Sequence, residues 1–239
     1  MKFSLLALII ALVGALLLLA AGPGTRLEIW DFGFGFTLMR WALYLGAGAA
    51  VLAVILALIP RTRRGSLATL AGALLIGLAT AAVPLLLVQQ ARSVPPIHDI
   101  STDTVDPPAF VAIAPLREDA PNPLDYPGQE TAEAQREAYP DLATFRTDLY
   151  PAIVFDHALA SAENLGWEIV AAEADEGRIE ATDTTFWFGF KDDIVIRIQA
   201  VGDGSQLDIR SKSRVGQSDV GANAARIRRF IDRLDERVH

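Results

Sequence analysis

Three long runs of apolar residues, each free of acids and bases, occupy most of the first 92 positions: Phe3 to Ala21, Trp41 to Ile59 and Leu67 to Val88. About 20 such residues suffice to cross a hydrocarbon core of about 30 Å, so the pattern predicts three membrane-spanning helices at 3–21, 41–59 and 67–88. The first run also has features of a signal peptide, with Lys2 ahead of it and Ala20, Ala21 and Gly22 near its end. Its apolar stretch exceeds the usual 7–15 residues, which favours an uncleaved span. Pro60 to Ser66 reads PRTRRGS, and three arginines in so short a loop mark the cytoplasmic side. Lys2 then lies on that side too. Everything after Arg92 is expected across the membrane, in the periplasm if the membrane is an inner one.

Charge divides the chain at the same place. Residues 1–92 hold two acids, Glu28 and Asp31, against seven Lys and Arg; the remainder carries 27 acids and 14 bases. An acidic outer region of net charge about −13 disfavours nucleic acid, whose phosphates need a basic surface, so no nucleic-acid partner is expected. The absence of cysteine excludes disulfides and thiol chemistry. The connection between the first two spans holds Trp30, Phe32, Phe34, Phe36 and Trp41, residues typical of the headgroup layer. Its F-G-F-G-F alternation predicts an extended or re-entrant segment. Small residues at Gly46 to Ala50 and Gly72 to Gly77 permit close helix packing.

Residues 93–149 contain many prolines and predict an extended, turn-rich arm packed on a following domain, anchored by Ile97, Ile100, Phe110, Val111 and Ile113. From Tyr150 to Leu165 apolar residues recur at helical spacing, and Gly166 stops the helix. Alternating strands follow at 167–172, 178–185, 194–200 and 206–211, with turns at Asp175–Gly177 and Gly202–Gly204. A last helix is predicted from about Asp219 to Arg237. The outcome is an α+β domain over 150–239, an antiparallel meander flanked by two helices. Alternation gives the sheet an apolar face and a polar face bearing Arg178, Glu180, Arg197, Asp208 and Arg210. That polar face is expected to be a solvated, ion-paired surface, with the arm or a ligand as the alternative cover. Phe186 to Phe190, FWFGF, reads as a strand with aromatics on both faces, Trp187 offering a partner strip or a floor for the arm.

Several blocks, PPIHDISTDTVDPPAF, APNPLDYPG, GWEIVAAEADEGRIEATDTTFWFGFKDDIVIRI and LDIRSKSRVGQSDVGANAARIRRF, together resemble the bacterial and plastid domain-of-unknown-function family 1499. The likeness runs over nearly all of residues 94–234, and three-span extensions occur in part of that family. It implies no activity. It directs attention to Asp192, Asp193, Arg197, Arg210, Ser211, Ser213, Arg214, Gly216, Ser218, Asp219, Gly221, Asn223 and Arg226, which match the family's residue types.

Three chemistries compete for that segment. A hydrolase needs a base for Ser213 or Ser218, and only His98, His157 and His239 exist; no G-x-S-x-G elbow is present. Arg210, Lys212 and Arg214 before a helix start form a candidate anion site, but Asp219 competes for the same amides as a cap. The conservative arrangement has Asp219 capping the helix and Arg210, Arg214 and Arg226 paired with Asp192, Asp193 and Asp208. His98, Asp99, Asp103 and Asp106 form an acidic cluster better suited to turns than to calcium, so no metal or other cofactor is expected. The candidate ligand- or partner-binding residues are therefore His98, Asp193, Arg197, Arg210, Ser213, Arg214, Ser218, Asp219, Asn223 and Arg226. The expected role is to bind a protein or envelope component beside the lipid membrane. An envelope hydrolase using residues 210–226 and a carrier of an apolar ligand are the alternatives.

Overall fold

A computed structural model of the protein describes residues 2–63 and 65–238; Met1, Arg64 of the basic loop and His239 lie outside the described residues. The chain forms two compact units. One comprises Met1–Arg92 with Phe186–Gly189, the other Ser93–Thr185 with Phe190–His239.

The first unit contains α1 (Lys2–Arg26), α2 (Phe32–Leu58), the single turn α3 (Pro60–Arg63) and α4 (Leu67–Ser93). The three long helices have the length and composition to cross a membrane. Each buries a stripe of small residues at alternating three- and four-residue spacing, such as Ala7, Ala11, Gly14, Leu18 and Ala21 in α1. Leu5, Leu6, Ile9, Leu12, Leu16 and Leu19 of the same helix are exposed. In a bilayer, where no water drives apolar faces together, close backbone approach would supply the packing energy. At the α2–α4 crossing a Cβ on Gly46 would lie 2.7 Å from the carbonyl oxygen of Gly77, so no larger residue fits.

The F-G-F-G-F segment is not extended. It is the first turn of α2, which begins at Phe32 rather than at Trp41. Asp31 explains the difference: its carboxylate accepts the Phe34 amide at 3.0 Å and caps the helix. Glycine's low helix propensity is a weak prior, overridden once the helix is nucleated and packed.

The second unit is α+β. Its sheet has six strands: β1 (Asp99–Ser101), β2 (Phe145–Thr147), β3 (Glu168–Glu173), β4 (Arg178–Thr184), β5 (Lys191–Val201) and β6 (Gly204–Ser213). The order is β1-β6-β5-β4-β3, all antiparallel, and β2 also pairs with β6. The predicted meander is β3 to β6. The arm adds the two short strands, which share the outer edge of β6: β1 opposite 210–212 and β2 opposite 205–207. They cover an edge that would otherwise present unpaired amides. The arm also contains a helix, α5 (Gln129–Ala138), which the proline content had hidden.

Helices α6 (Pro151–Asn164) and α7 (Ala222–Val238) cover the apolar face. Val154, Phe155, Ala158, Ile227, Phe230 and Leu234 meet Ile179, Ile194, Ile196, Leu207 and Ile209 there. Trp167 stacks on Phe230 with ring centroids 5.4 Å apart. Ile97 and Ile100 of the arm enter the same core, and Ile113 is buried, whereas Val111 is exposed and holds through its backbone instead.

The polar face is not solvated. Glu180, Asp208 and Arg210 are 0%, 1% and 3% exposed because the arm lies over them. FWFGF is also not a strand. Phe186 to Phe188 form a turn closed by the Thr185 amide on the Phe190 carbonyl at 2.8 Å.

Candidate functional site

Alternation along β6 sends Ser211 and Ser213 toward the helices and Arg210, Lys212 and Arg214 toward the arm. The predicted site residues are therefore split between the two faces of one sheet.

On the helix side Asn223 is central. Its carbonyl oxygen accepts the Ser211 hydroxyl at 2.7 Å; its amide nitrogen donates to the Ser213 hydroxyl at 3.1 Å and to the His98 carbonyl at 3.0 Å. One turn along α7, Arg226 donates to Asp183 at 2.8 Å, to Asp192 at 2.6 Å, and to Ser211 and Asn223. Burial alone would lower the Arg226 pKa, but Asp192 and Asp183 outweigh it and leave it raised. Upstream, Val220 and Gly221 both take left-handed backbone conformations, with φ 55° and 83°. This bend turns the Asp219 carboxylate onto the amides of Gly221 (2.7 Å) and Asn223 (2.8 Å), at the start of α7. Burial raises the Asp219 pKa, while those two amides oppose the shift. Ser218 is separate from the Asn223 cluster, and its hydroxyl accepts the Val220 amide.

On the arm side, ion pairs run along the sheet. Asp99 receives Arg210 through two bonds, at 2.9 and 2.8 Å, and Lys212 at 2.8 Å. Arg210 also reaches the Pro108 and Leu124 carbonyls and lies against the rings of Phe110 and Tyr126. Asp193 receives Arg214 through two bonds at 2.9 Å, Arg117 at 3.2 Å and the Thr182 hydroxyl. Arg197 joins Asp208 to Asp103 and Asp106. Glu180 accepts the successive amides of Val111, Ala112 and Ile113 at 2.9–3.1 Å, with Arg178 beside it. Of the expected arginine pairings, Arg214 with Asp193 and Arg226 with Asp192 are present. Arg210 pairs with Asp99, because Asp208 is held by Arg197, Thr102 and Thr144.

His98 borders a cleft of about 330 Å³ together with Pro96, Ile97, Asn122, Pro127, Thr131 and Gln217. Burial lowers its pKa, a backbone contact with Gln217 opposing, so the ring is biased toward neutrality. The Ser213 amide donates to the His98 carbonyl at 2.9 Å. Among the described residues no hydrogen bond joins the His98 imidazole to a serine hydroxyl, and no group of three His, Asp or Glu is placed to hold a metal ion. The carboxylates of the arm that resembled a cation cluster are bonded to Arg197, Arg210 and Lys212.

The family model described as "Protein of unknown function (DUF1499)" matches residues 99–234, more than half of the chain. The chain belongs to this family. No curated protein matches the sequence. The matched region begins at Asp99, the acid that joins the arm to β6, and ends at Leu234 in the core stripe of α7. The DUF1499 domain thus spans the arm, the sheet and both ion-pair layers. Sequence reasoning passed over Arg117, placed Glu180 on the polar face without its partners in the arm, and gave Asp99 and Lys212 minor parts. Lys212 was legible, since alternation places it between Arg210 and Arg214 on one face. Arg117 was not, because nothing local indicates that it reaches Asp193.

Proposed function

We propose that the protein is a membrane-anchored binding module whose DUF1499 domain holds a protein or envelope component beside the bilayer. The observation that carries this reading is the internal commitment of the 210–226 segment. Asn223 engages the Ser211 and Ser213 hydroxyls, the Ser218 hydroxyl accepts the Val220 amide, and Arg226 is divided between two aspartates, so the residue types of a hydrolase are present but bonded as a structural joint. The apolar-carrier alternative lacks similar support, since Ile179, Ile194, Ile196, Ile209, Ile227 and Phe230 fill the layer where such a ligand would sit. The binding surface in this reading is the His98 cleft, where a neutral imidazole can both donate and accept a hydrogen bond.

The arginine-rich loop before α4 supports a cytoplasmic N-terminus and a DUF1499 domain across the membrane, periplasmic in a cell with two membranes. Alkaline phosphatase fused after position 239 should be active; a stable, inactive fusion refutes that orientation. For binding, a photo-crosslinking residue is placed at Gln217 or Thr131, on the cleft, and at Glu236, away from it. A discrete adduct from native membranes at the two cleft positions alone is expected. Identical patterns at all three positions would remove the cleft from the reading.

A further inference from the structure

The connection between β4 and β5 carries Phe186, Trp187, Phe188 and Gly189, and these four residues cluster with the helical unit. The indole of Trp187 lies on the α1 backbone at Gly22, where a Cβ would overlap the ring. Phe188 is buried and packs against Phe36 of α2, with centroids 5.3 Å apart, and against Trp187 at 5.1 Å. Arg26 donates to the Phe186 carbonyl at 2.5 Å, and its guanidinium lies 6.0 Å from the centre of the Phe186 ring. The backbone of the tip is thus pinned, while the Phe186 ring itself is 90% exposed.

The depth of this tip follows from α1. Its apolar run, Phe3 to Ala21, ends one residue before Gly22, and at about 1.5 Å per residue that run matches the hydrocarbon thickness. Gly22 to Arg26 lie in the turn just beyond, with Trp30 bonded back to the Ala21 carbonyl at 3.3 Å. Arginine and tryptophan immediately after a span are the composition of the headgroup layer. An aromatic ring held at that level, on a fixed backbone, has lipid as its apolar surrounding.

We propose that Phe186 is immersed in the interfacial layer of the bilayer, so that the β4–β5 tip is a lipid-contacting element in its own right. This rests on the three helices spanning a membrane, but not on their orientation.

The chain has no cysteine, so single labels are clean. Phe186→Cys, Leu16→Cys on the outer surface of α1 and Val105→Cys, 90% exposed in the arm, are each labelled with a nitrobenzoxadiazole dye. The full chain is placed in phosphatidylcholine–phosphatidylglycerol nanodiscs containing lipids with nitroxide at the headgroup or deep in the acyl chain. The label at 186 should emit at shorter wavelength than that at 105 and be quenched several-fold more by headgroup nitroxide. The label at 16 should respond to the deep nitroxide. If 16 is quenched and 186 behaves like 105, the proposal is overturned and the anchor stands. A blue-shifted but unquenched label at 186 would mean protein contact instead, and also overturns it. If 16 itself is not quenched, the anchor reading fails and takes the proposal with it.

Discussion

Asp99 is one buried carboxylate between two buried cations, Arg210 and Lys212. Removing a cation and removing the acid are therefore unequal. Lys212→Met leaves Asp99 doubly bonded to Arg210 and eliminates a charge that is 0% exposed; its expected cost is below about 1.5 kcal/mol. Asp99→Asn leaves two cations without a counter-charge, at a cost of about 3–5 kcal/mol. Thermal unfolding of the detergent-solubilised chain distinguishes the two, and equal losses would contradict the pairing. Tyr126 offers a second measurement. Burial, followed by the charge of Asp99, raises its phenol to about 12, and its hydroxyl is buried without a partner. A folded-state pKa above the unfolded one contributes stability that is complete below about pH 10 and is lost as pH rises through 12. Tyr126→Phe should flatten that alkaline loss and delete the latest phenolate step in the ultraviolet titration.

At the scale of elements, Glu180 is the residue of β4 that holds the arm through its backbone. Its carboxylate receives three consecutive amides, so Glu180→Ala leaves them without their acceptor, Arg178 keeping Glu176 alone, and should cost about 3 kcal/mol. Hydrogen exchange at residues 111–113 should rise well above that in α7; unchanged exchange would show that the arm is held elsewhere. The elements differed in how far they could be read in advance. Apolar runs and strands β3 to β6 have enough repeats for their period to show, and their cores follow. Strands β1 and β2 have three residues each and no period at all; only the open edge of β6 calls for them. The polar face was legible as alternation, yet its cover was not, because Glu180 bonds to backbone amides and every residue has one. Asn223, Arg226 and Ser213 were legible as a polar cluster near a helix start. Asp99, the partner of Arg210, and Arg117, the second arginine on Asp193, lie far along the chain, where local pattern has no reach.

For the whole molecule, the division into two units runs through one loop, since Phe186–Gly189 belong with the helices. A fragment starting at Ser93 carries Trp187 and Phe188 without the surface they pack on. It should fold around the Ile-rich core but self-associate, and Trp187→Ser with Phe188→Ser should restore a monomer by light scattering. Association that persists in the double variant would assign the adhesive surface to another part of the domain.

The edge strand β1 has a consequence for timing. Asp99 must wait for Arg210, 111 residues later. At about 5–20 residues per second of synthesis, that interval is roughly 5–20 s. Throughout it the emerging arm has neither its strand partner nor its counter-charges. Strand β6 and helix α7, made late in the second unit, therefore complete a strand made at its start, and a chain halted before Arg210 would present an acidic arm with unpaired backbone to whatever chaperone or protease meets it first.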